Sequence, residues 1–210
     1  MTFLKRLFLI LIHQGKNVLK GGAFKNVSDE ELVAKIVADN NTLLFGVLYD
    51  RYSKRVYNKC YGFARSQDEA EDLTQDVFLM LFVKLASFKG RSKFSTWLYS
   101  FTYNFCVNYV NRNKQRKMSD KSVPMDTVEY KVEDEVPDEN LFELQASKLD
   151  RALKLIDVEE KSILLLKYQD GASIKELSDF LEIGESAVKM RLKRAKAKLV
   201  KIYNDLEEDG

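Results

Sequence analysis

Apolar residues recur along most of this chain at intervals of three and four, the spacing that places them on one face of an α-helix. No convincing run alternates apolar and polar residues, as a half-buried strand would. The pattern therefore predicts an all-α protein. Its longer periodic stretches are Leu43–Ala64, Phe94–Arg112, Asp150–Ile156, Glu159–Tyr168 and Glu185–Tyr203.

Three helices are predicted to begin at a serine that is followed three residues later by a glutamate. In this capping box the serine hydroxyl accepts a hydrogen bond from the glutamate N–H, and the glutamate carboxylate reaches back to the serine N–H. Both bonds satisfy backbone donors that lack a partner inside the helix. The pairs are Ser28 with Glu31, Ser66 with Glu69, and Ser173 with Glu176.

The periodic pattern stops between Met118 and Glu143, where two prolines and a cluster of acidic residues replace it. This composition is typical of a flexible linker. We therefore predict two small helical domains, residues 27–117 and 144–206, joined by a flexible acidic linker over 118–143. Residues 1–26 form a basic N-terminal extension. Its apolar run Leu7–Ile12 is far shorter than the roughly 20 residues that span a bilayer, which leaves a peripheral membrane or partner-binding role open.

Positive charge is concentrated in two segments, although the formal net charge of the chain is only +2. Lys89–Lys117 contains seven basic residues and no acid, and Glu185–Tyr203 contains seven basic residues and one acid. One such segment in each domain indicates a protein that contacts nucleic acid at two places.

Residues suited to catalysis or metal binding are scarce. The chain has one histidine and lacks a glycine-rich phosphate-binding loop. Its two cysteines, Cys60 and Cys106, lie in apolar-periodic stretches and are predicted to be small buried residues in a reducing compartment. We therefore expect a protein that is not an enzyme and that uses no cofactor and no metal.

The C-terminal domain has the pattern of a helix-turn-helix. A helix over Ser173–Leu181 is followed by a three-residue turn and by a second helix from Glu185. On the second helix one stripe is predicted to be buried, formed by Val188, Leu192, Ala195 and Leu199. The opposite face carries small, polar and basic side chains, which suit a DNA major groove. A solvated basic helix face is the alternative.

On that outer face the position of each residue suggests its role. Ser186, Lys189 and Met190, near the start of the helix, are expected to approach base edges. Arg191, Arg194 and Lys198 are expected to contact phosphates.

The segment from residue 88 to residue 117 interleaves basic and aromatic residues. An inward stripe is predicted at Phe94, Leu98, Phe101 and Phe105. A separate polar face carries Asn104, Asn108, Asn111, Arg112 and Gln115. Amide groups can pair with base edges, and aromatic rings can stack on unpaired bases for about 1–3 kcal/mol each, so the segment suits single-stranded or melting DNA. A polar solvent face would explain the asparagines but not the lack of acids.

An acidic patch covers residues 68–76 of another predicted helix. Asp72, Gln75, Asp76 and Leu79 share one side of it, which makes them candidates for docking a protein. A solvated helix face is the alternative. A metal site is not expected there, because neither a histidine nor a second carboxylate-rich helix accompanies the patch.

Several stretches resemble bacterial RNA polymerase sigma factors of the extracytoplasmic-function type. Ala70–Phe78 is similar to the polymerase-docking segment of that family. Phe88–Gly90 followed by Phe94–Leu98 is similar to its melting segment, and Asn104 lies where the family usually has Asn in the promoter-reading helix. Ser173–Leu199 resembles its second conserved domain.

The resemblance implies a cytoplasmic alternative sigma factor that binds core RNA polymerase and directs promoter-specific transcription initiation. The first domain would dock on polymerase and melt the minus-ten element, and the second would bind the minus-thirty-five element. The implied partners are core RNA polymerase, promoter DNA and an anti-sigma factor, membrane-bound or not. The alternative is a stand-alone helix-turn-helix transcriptional regulator, which leaves Lys89–Lys117 unexplained.

Transferred position by position, the resemblance implies three sets of site residues. The polymerase-binding set is Asp72, Gln75, Asp76, Phe78 and Leu79. The minus-ten set is Phe88, Lys89, Arg91, Lys93, Trp97, Asn104, Asn108, Asn111 and Arg112. The minus-thirty-five set is Ser173, Ser186, Lys189, Met190, Arg191, Lys193, Arg194 and Lys198. The chain departs from the family where Asp157 and Lys161 replace a common Pro and Arg, and where Glu182 replaces the usual turn glycine.

Overall fold

The computed structural model describes Phe24, residues 26–119, Pro137, Asp138 and residues 144–206. Most of the predicted N-terminal extension over 1–26 and most of the predicted linker over 118–143 lie outside the described residues. The chain divides into two compact units between Cys106 and Val107. The domain bounds 27–117 and 144–206 stay a prediction.

Within the described residues the structure is helical and contains no strand. The helices of the first part of the chain are α1 (Asp29–Asp39), α2 (Thr42–Tyr61), α3 (Gln67–Lys84) and α4 (Phe94–Ser119), with a 3₁₀ turn at Leu85–Ser87. Those of the second part are α5 (Ala146–Leu155), α6 (Val158–Leu164), α7 (Ile174–Leu181) and α8 (Glu185–Asp205), with a π turn at Leu165–Gln169. None of the helices among the described residues is long and apolar enough to span a bilayer.

The capping boxes at Ser28 and Ser173 are confirmed, with both reciprocal hydrogen bonds present. The prediction for Ser66 is only half right. The Ser66 hydroxyl accepts from the Glu69 N–H at 3.2 Å, but the Glu69 carboxylate accepts from the N–H of Arg65 instead of Ser66. The carboxylate still lies at the start of α3, where it interacts favourably with the helix dipole.

The core of the first unit forms where α2 packs against both α1 and α3. Its fully buried side chains include Phe45, Leu48 and Val56 of α2 and Phe78 and Leu81 of α3. The predicted burial of Cys60 and Cys106 is confirmed, and the fold brings their Sγ atoms to 3.9 Å from each other.

The predicted inward stripe of α4 is right at Phe94 and Leu98 and wrong at Phe101 and Phe105, which are only half-buried. Thr102, Tyr103 and Cys106 are buried in their place. Thr102 tolerates burial because its hydroxyl donates to the Leu98 carbonyl at 2.8 Å, which satisfies the polar group inside the core.

The second unit is organised around α8, which packs against α5, α6 and α7. Its buried stripe is confirmed at Val188, Leu192, Ala195 and Leu199. Because this stripe is held by three helices, the opposite face of α8 is turned to solvent.

Candidate nucleic-acid interfaces and protein-docking face

The residues predicted to dock a protein lie at different depths on α3. Asp72 is exposed, and Gln75, Asp76 and Leu79 are half-buried. Phe78 is fully buried, with ring centroids 6.4 Å from Phe45 and 4.6 Å from Tyr49. Phe78 is therefore a core residue that holds α3 in place, and it presents no surface to a partner.

Two apolar residues outside the predicted docking set extend this face. Met80 and Val83 follow Asp76 by four and seven residues and are 39% and 67% exposed. Residues at these intervals share one side of a helix. In the sequence they look like further core residues, and only their exposure in the folded unit distinguishes them.

The loop between α3 and α4 presents three basic side chains, Lys89, Arg91 and Lys93, all exposed. Gly90, between them, has a φ of +68°. This left-handed conformation costs an L-residue about 1–2 kcal/mol, and glycine adopts it without that cost. The turn at Gly90 therefore lets Lys89 and Arg91, on either side of it, both face solvent.

A cluster of aromatic side chains packs where this loop meets the start of α4. The Phe88 ring lies 5.5 Å from Phe94 and 5.4 Å from Trp97, and Trp97 stacks on Phe101 at 5.7 Å with an angle of 26° between the planes. Phe94 is buried, whereas Phe88, Trp97 and Phe101 are half-buried. The half-buried rings keep part of their surface accessible, which suits stacking on an unpaired base.

The first turn of α4 is capped by a residue of another helix. The Glu30 carboxylate, in the first turn of α1, accepts a hydrogen bond from the Phe94 N–H at 2.9 Å. Lys93, the residue before this helix, has no side-chain acceptor with which to cap it. Only the packing of α1 beside the start of α4 reveals the role of Glu30.

A half-buried cation joins α2 to the middle of α4. The Lys59 Nζ lies 4.1 Å from the centroid of the Tyr99 ring, 5.0 Å from that of Tyr103, and 3.2 Å from the Tyr103 hydroxyl. The faces of both rings carry negative electrostatic potential, which stabilises the ammonium. The sequence does not indicate this role of Lys59, since nothing in its neighbourhood links it to a helix 40 residues away.

The polar side chains predicted to face DNA on α4 are largely accessible. Asn104, Asn108 and Arg112 are exposed, and Asn111 is half-buried. Asn104 belongs to the first unit, and the other three lie beyond the division after Cys106. Their predicted contacts with the minus-ten element stay a prediction.

The turn of the helix-turn-helix is built differently from the family pattern. Glu182 ends α7 in the left-handed conformation, with a φ of 54°, so it occupies the usual glycine position in conformation as well as in sequence. Gly184 is extended, with φ −61° and ψ 151°, and precedes α8 as its N-cap. The Ser178 hydroxyl donates to the Ile183 carbonyl at 2.6 Å and fixes the turn.

The outer face of α8 presents most of the residues that were predicted for it. Ser186, Lys189, Met190, Arg191 and Arg194 are exposed, and Lys193 is half-buried. On α7, Ser173 is exposed, but its hydroxyl is committed to the capping box. It accepts from the Glu176 N–H at 3.1 Å and donates to the Glu176 carboxylate at 2.8 Å.

Lys198 has partners inside its own domain. Its Nζ binds the Asp157 carboxylate and lies 2.8 Å from a carboxylate oxygen of Glu160. The hydrogen bond from Lys198 holds the pKa of the Asp157 carboxyl below its usual range. Asp157, which stands where the family commonly has Pro, therefore ties the start of α6 to α8. Lys161, at the other departure, is buried, and this burial lowers the pKa of its ammonium.

Comparison with known proteins identifies both halves of the chain. Residues 48–116 match the family model of Sigma-70 region 2, and residues 146–199 match that of Sigma-70, region 4. The chain is 31% identical to the ECF RNA polymerase sigma factor SigW of Bacillus subtilis (strain 168), over 77% of this chain and 90% of the relative. It is 26% identical to SigX of the same organism, over 79% and 86% of the two chains.

Two solved structures share the fold. CnrH, in complex with the cytosolic domain of CnrY, aligns with a TM-score of 0.56 and 20% identity over 85% of this chain and 99% of the other. The sigma factor RpoE of Bartonella quintana, in complex with the anti-sigma factor NepR, aligns with a TM-score of 0.54 and 19% identity over 78% and 98%. The predicted fold class of two helical domains, the second a helix-turn-helix, is confirmed.

Proposed function

Since this chain belongs to the extracytoplasmic-function family of RNA polymerase sigma factors, we propose a specific role for each of its surfaces in transcription initiation. As an alternative sigma factor, the protein works with core RNA polymerase and directs initiation at promoters. The domain over 27–117 docks on polymerase and opens the minus-ten element. The domain over 144–206 binds the minus-thirty-five element.

Docking on polymerase takes place through the exposed side of α3. Asp72 and Asp76 supply charge, Gln75 and Leu79 lie at their sides, and Val83 extends the face with an exposed apolar side chain. A combination of apolar area with surrounding polar groups is typical of protein interfaces. Phe78 contributes by fixing α3 in the core.

Promoter opening takes place at the loop before α4 and along the helix. The observation that carries this proposal is that exposed cations at Lys89, Arg91 and Lys93 adjoin the half-buried rings of Phe88 and Trp97. The cations bind the backbone of a DNA strand, and the rings receive unpaired bases. The polar face of α4 contacts base edges through Asn104, Asn108, Asn111 and Arg112.

Recognition of the upstream duplex takes place on α8. Ser186, Lys189 and Met190 lie near its start and contact base edges, and Arg191, Lys193 and Arg194 contact phosphates. Lys198 and Ser173 hold internal partners in this structure, so each exchanges that partner for phosphate when DNA binds.

The relatives are sigma factors, which are not enzymes, and we propose that this protein has no catalytic activity of its own. We also propose that it acts in the cytoplasm, together with polymerase, and that an anti-sigma factor binds it. The anti-sigma factor bound to RpoE in the similar structure supports this partner.

The decisive experiment is run-off transcription from a promoter library, using bacterial core RNA polymerase with and without the protein. We expect specific start sites that appear only with the protein and disappear when Asp72→Ala and Gln75→Ala are combined. Asp39→Ala, an exposed acidic residue of α1, is the matched control and should keep the transcripts. No new transcript, together with sequence-specific DNA binding by the protein alone, would indicate a stand-alone helix-turn-helix regulator.

A further inference from the structure

A third basic segment lies in the first unit, outside the surfaces assigned above. From residue 51 to residue 67 the sequence contains five basic residues and no acid. Two of the five serve the fold: Arg51 binds Asp29 at 2.5 Å, and Lys59 lies against Tyr99 and Tyr103. The other three are Lys54, Arg55 and Arg65, and all are exposed, although the Arg55 guanidinium lies 6.0 Å from the centroid of the Tyr52 ring.

The segment forms a continuous stripe on α2. The buried side of this helix contains Tyr52, Val56 and Cys60. Lys54, Tyr57, Asn58 and Tyr61 follow one another at intervals of three, one and three residues, which places them together on the opposite side. Arg55 flanks this stripe, and Arg65 follows it in the turn before α3.

The stripe combines aromatic rings with cations. The rings of Tyr57 and Tyr61 lie 6.1 Å apart with 32° between their planes, and Tyr61 is 57% exposed. Among the described residues no carboxylate forms an ion pair with Lys54, Arg55 or Arg65. Asp50, one turn before Lys54, is an acidic residue at the N-terminal end of the stripe.

We propose that this α2 stripe binds single-stranded DNA. Exposed cations bind phosphates, the amide of Asn58 can pair with a base edge, and the Tyr61 ring offers a face on which an unpaired base stacks. A duplex keeps its base faces stacked inside and offers nothing to such a ring.

The stripe belongs to the same unit as Asn104 and the basic loop before α4. Lys59, on the side of α2 that packs against α4, contacts Tyr103, and the stripe lies on the other side of α2. The inference rests on the proposed function, because it assigns a further part of the opened strand to this second helix.

The test measures binding of the full chain to fluorescein-labelled dT20 by fluorescence anisotropy over a series of salt concentrations. Losing one stacked base through Tyr61→Ala should weaken binding about tenfold. Lys54→Gln should reduce the slope of log affinity against log salt by about 0.7, the value for one phosphate contact on a single strand. The control variant Lys35→Gln with Val37→Ala removes a cation and an exposed apolar side chain of α1, and should bind like the wild type.

Several outcomes would overturn the proposal. These are wild-type affinity in both stripe variants, and the absence of dT20 binding by the wild type. Run-off transcription with the same protein variants distinguishes failure of the α2 stripe proposal from failure of the proposed function. If Asn104→Ala abolishes transcripts while the stripe variants keep both dT20 binding and transcription, the function stands and the α2 stripe is not a DNA site.

Discussion

The carboxylate of Glu30 accepts a hydrogen bond from the backbone N–H of Phe94 at 2.9 Å, although the two residues are 64 positions apart. Phe94 begins α4, so a side chain from the first turn of α1 caps the helix that carries Asn104. A carboxylate at this position satisfies an unpaired N–H and interacts favourably with the helix dipole. Glu30 therefore sets where α4 begins and where the basic loop before it ends.

Removal of this cap should weaken both the fold and promoter opening. Glu30→Ala is expected to lower the free energy of unfolding by about 1 kcal/mol, the usual loss for a helix cap. It should also reduce permanganate reactivity of thymines in the opened promoter, because the loop before α4 loses its anchor. Urea denaturation followed by fluorescence of Trp97, the single tryptophan, measures the first effect. Asp39→Ala should change neither quantity, and an unchanged denaturation midpoint for Glu30→Ala would contradict the prediction.

Substitutions at Phe78 and Asp72 should separate effects on stability from effects on polymerase docking. Phe78→Ala is expected to cost about 3–5 kcal/mol, because it empties a fully buried site against Phe45 and Tyr49. Asp72→Asn should change the free energy of unfolding by less than about 0.5 kcal/mol, since Asp72 is exposed. It should nonetheless weaken binding to core RNA polymerase, measured by anisotropy of the labelled protein. Equal stability of the two variants would refute the assignment of Phe78 to the core.

Replacement of Glu182, the left-handed residue of the turn, by glycine should stabilise the second unit. Glu182→Gly is expected to raise the stability of the second unit by about 0.5–1 kcal/mol. It relieves a conformation that costs an L-residue about 1–2 kcal/mol, and the larger backbone entropy of glycine offsets part of that gain. Glu182→Ala keeps the Cβ atom and should show no such gain. In urea, the transition seen by circular dichroism should shift, whereas that of Trp97 fluorescence, which reports the first unit, should not. A stabilised Ala variant would argue against backbone strain.

Acid should weaken the second unit in part through Asp157. Its pKa lies below the usual value of about 3.9, because of the hydrogen bond from Lys198, and the unfolded chain has the usual value. The ion pair therefore contributes stability above about pH 4 and loses it as the pH falls through the lowered folded-state pKa. The contribution should be less than about 1 kcal/mol, since the Asp157 side chain is 62% exposed and screened by solvent.

The thermal midpoint between pH 5 and pH 3, followed by circular dichroism, tests this contribution. Asp157→Asn should start lower at pH 5 and then fall less than the wild type. Asp179→Asn, an exposed acid of α7, should follow the wild-type curve. Parallel curves for the wild type and Asp157→Asn would contradict the role of the ion pair.

Local interactions were predictable from the sequence. The capping boxes at Ser28 and Ser173 join residues three positions apart, and the buried stripe from Val188 to Leu199 follows from the helical period alone. The same rule failed at Phe101 and Phe105. The period shows which residues of a helix share a face, but the neighbouring helices decide which face is buried. On α4 they bury Thr102, Tyr103 and Cys106.

The sequence by itself therefore determined the helices, most of their ends, the family and the basic segments, since each of these is encoded within a few residues. The tertiary structure alone decided that Glu30 caps α4, that Lys59 lies between Tyr99 and Tyr103, and that Phe78 is unavailable to a partner. These relationships join residues that are distant along the chain. They depend on how the helices pack, a choice made by the summed burial of many side chains that no short motif records.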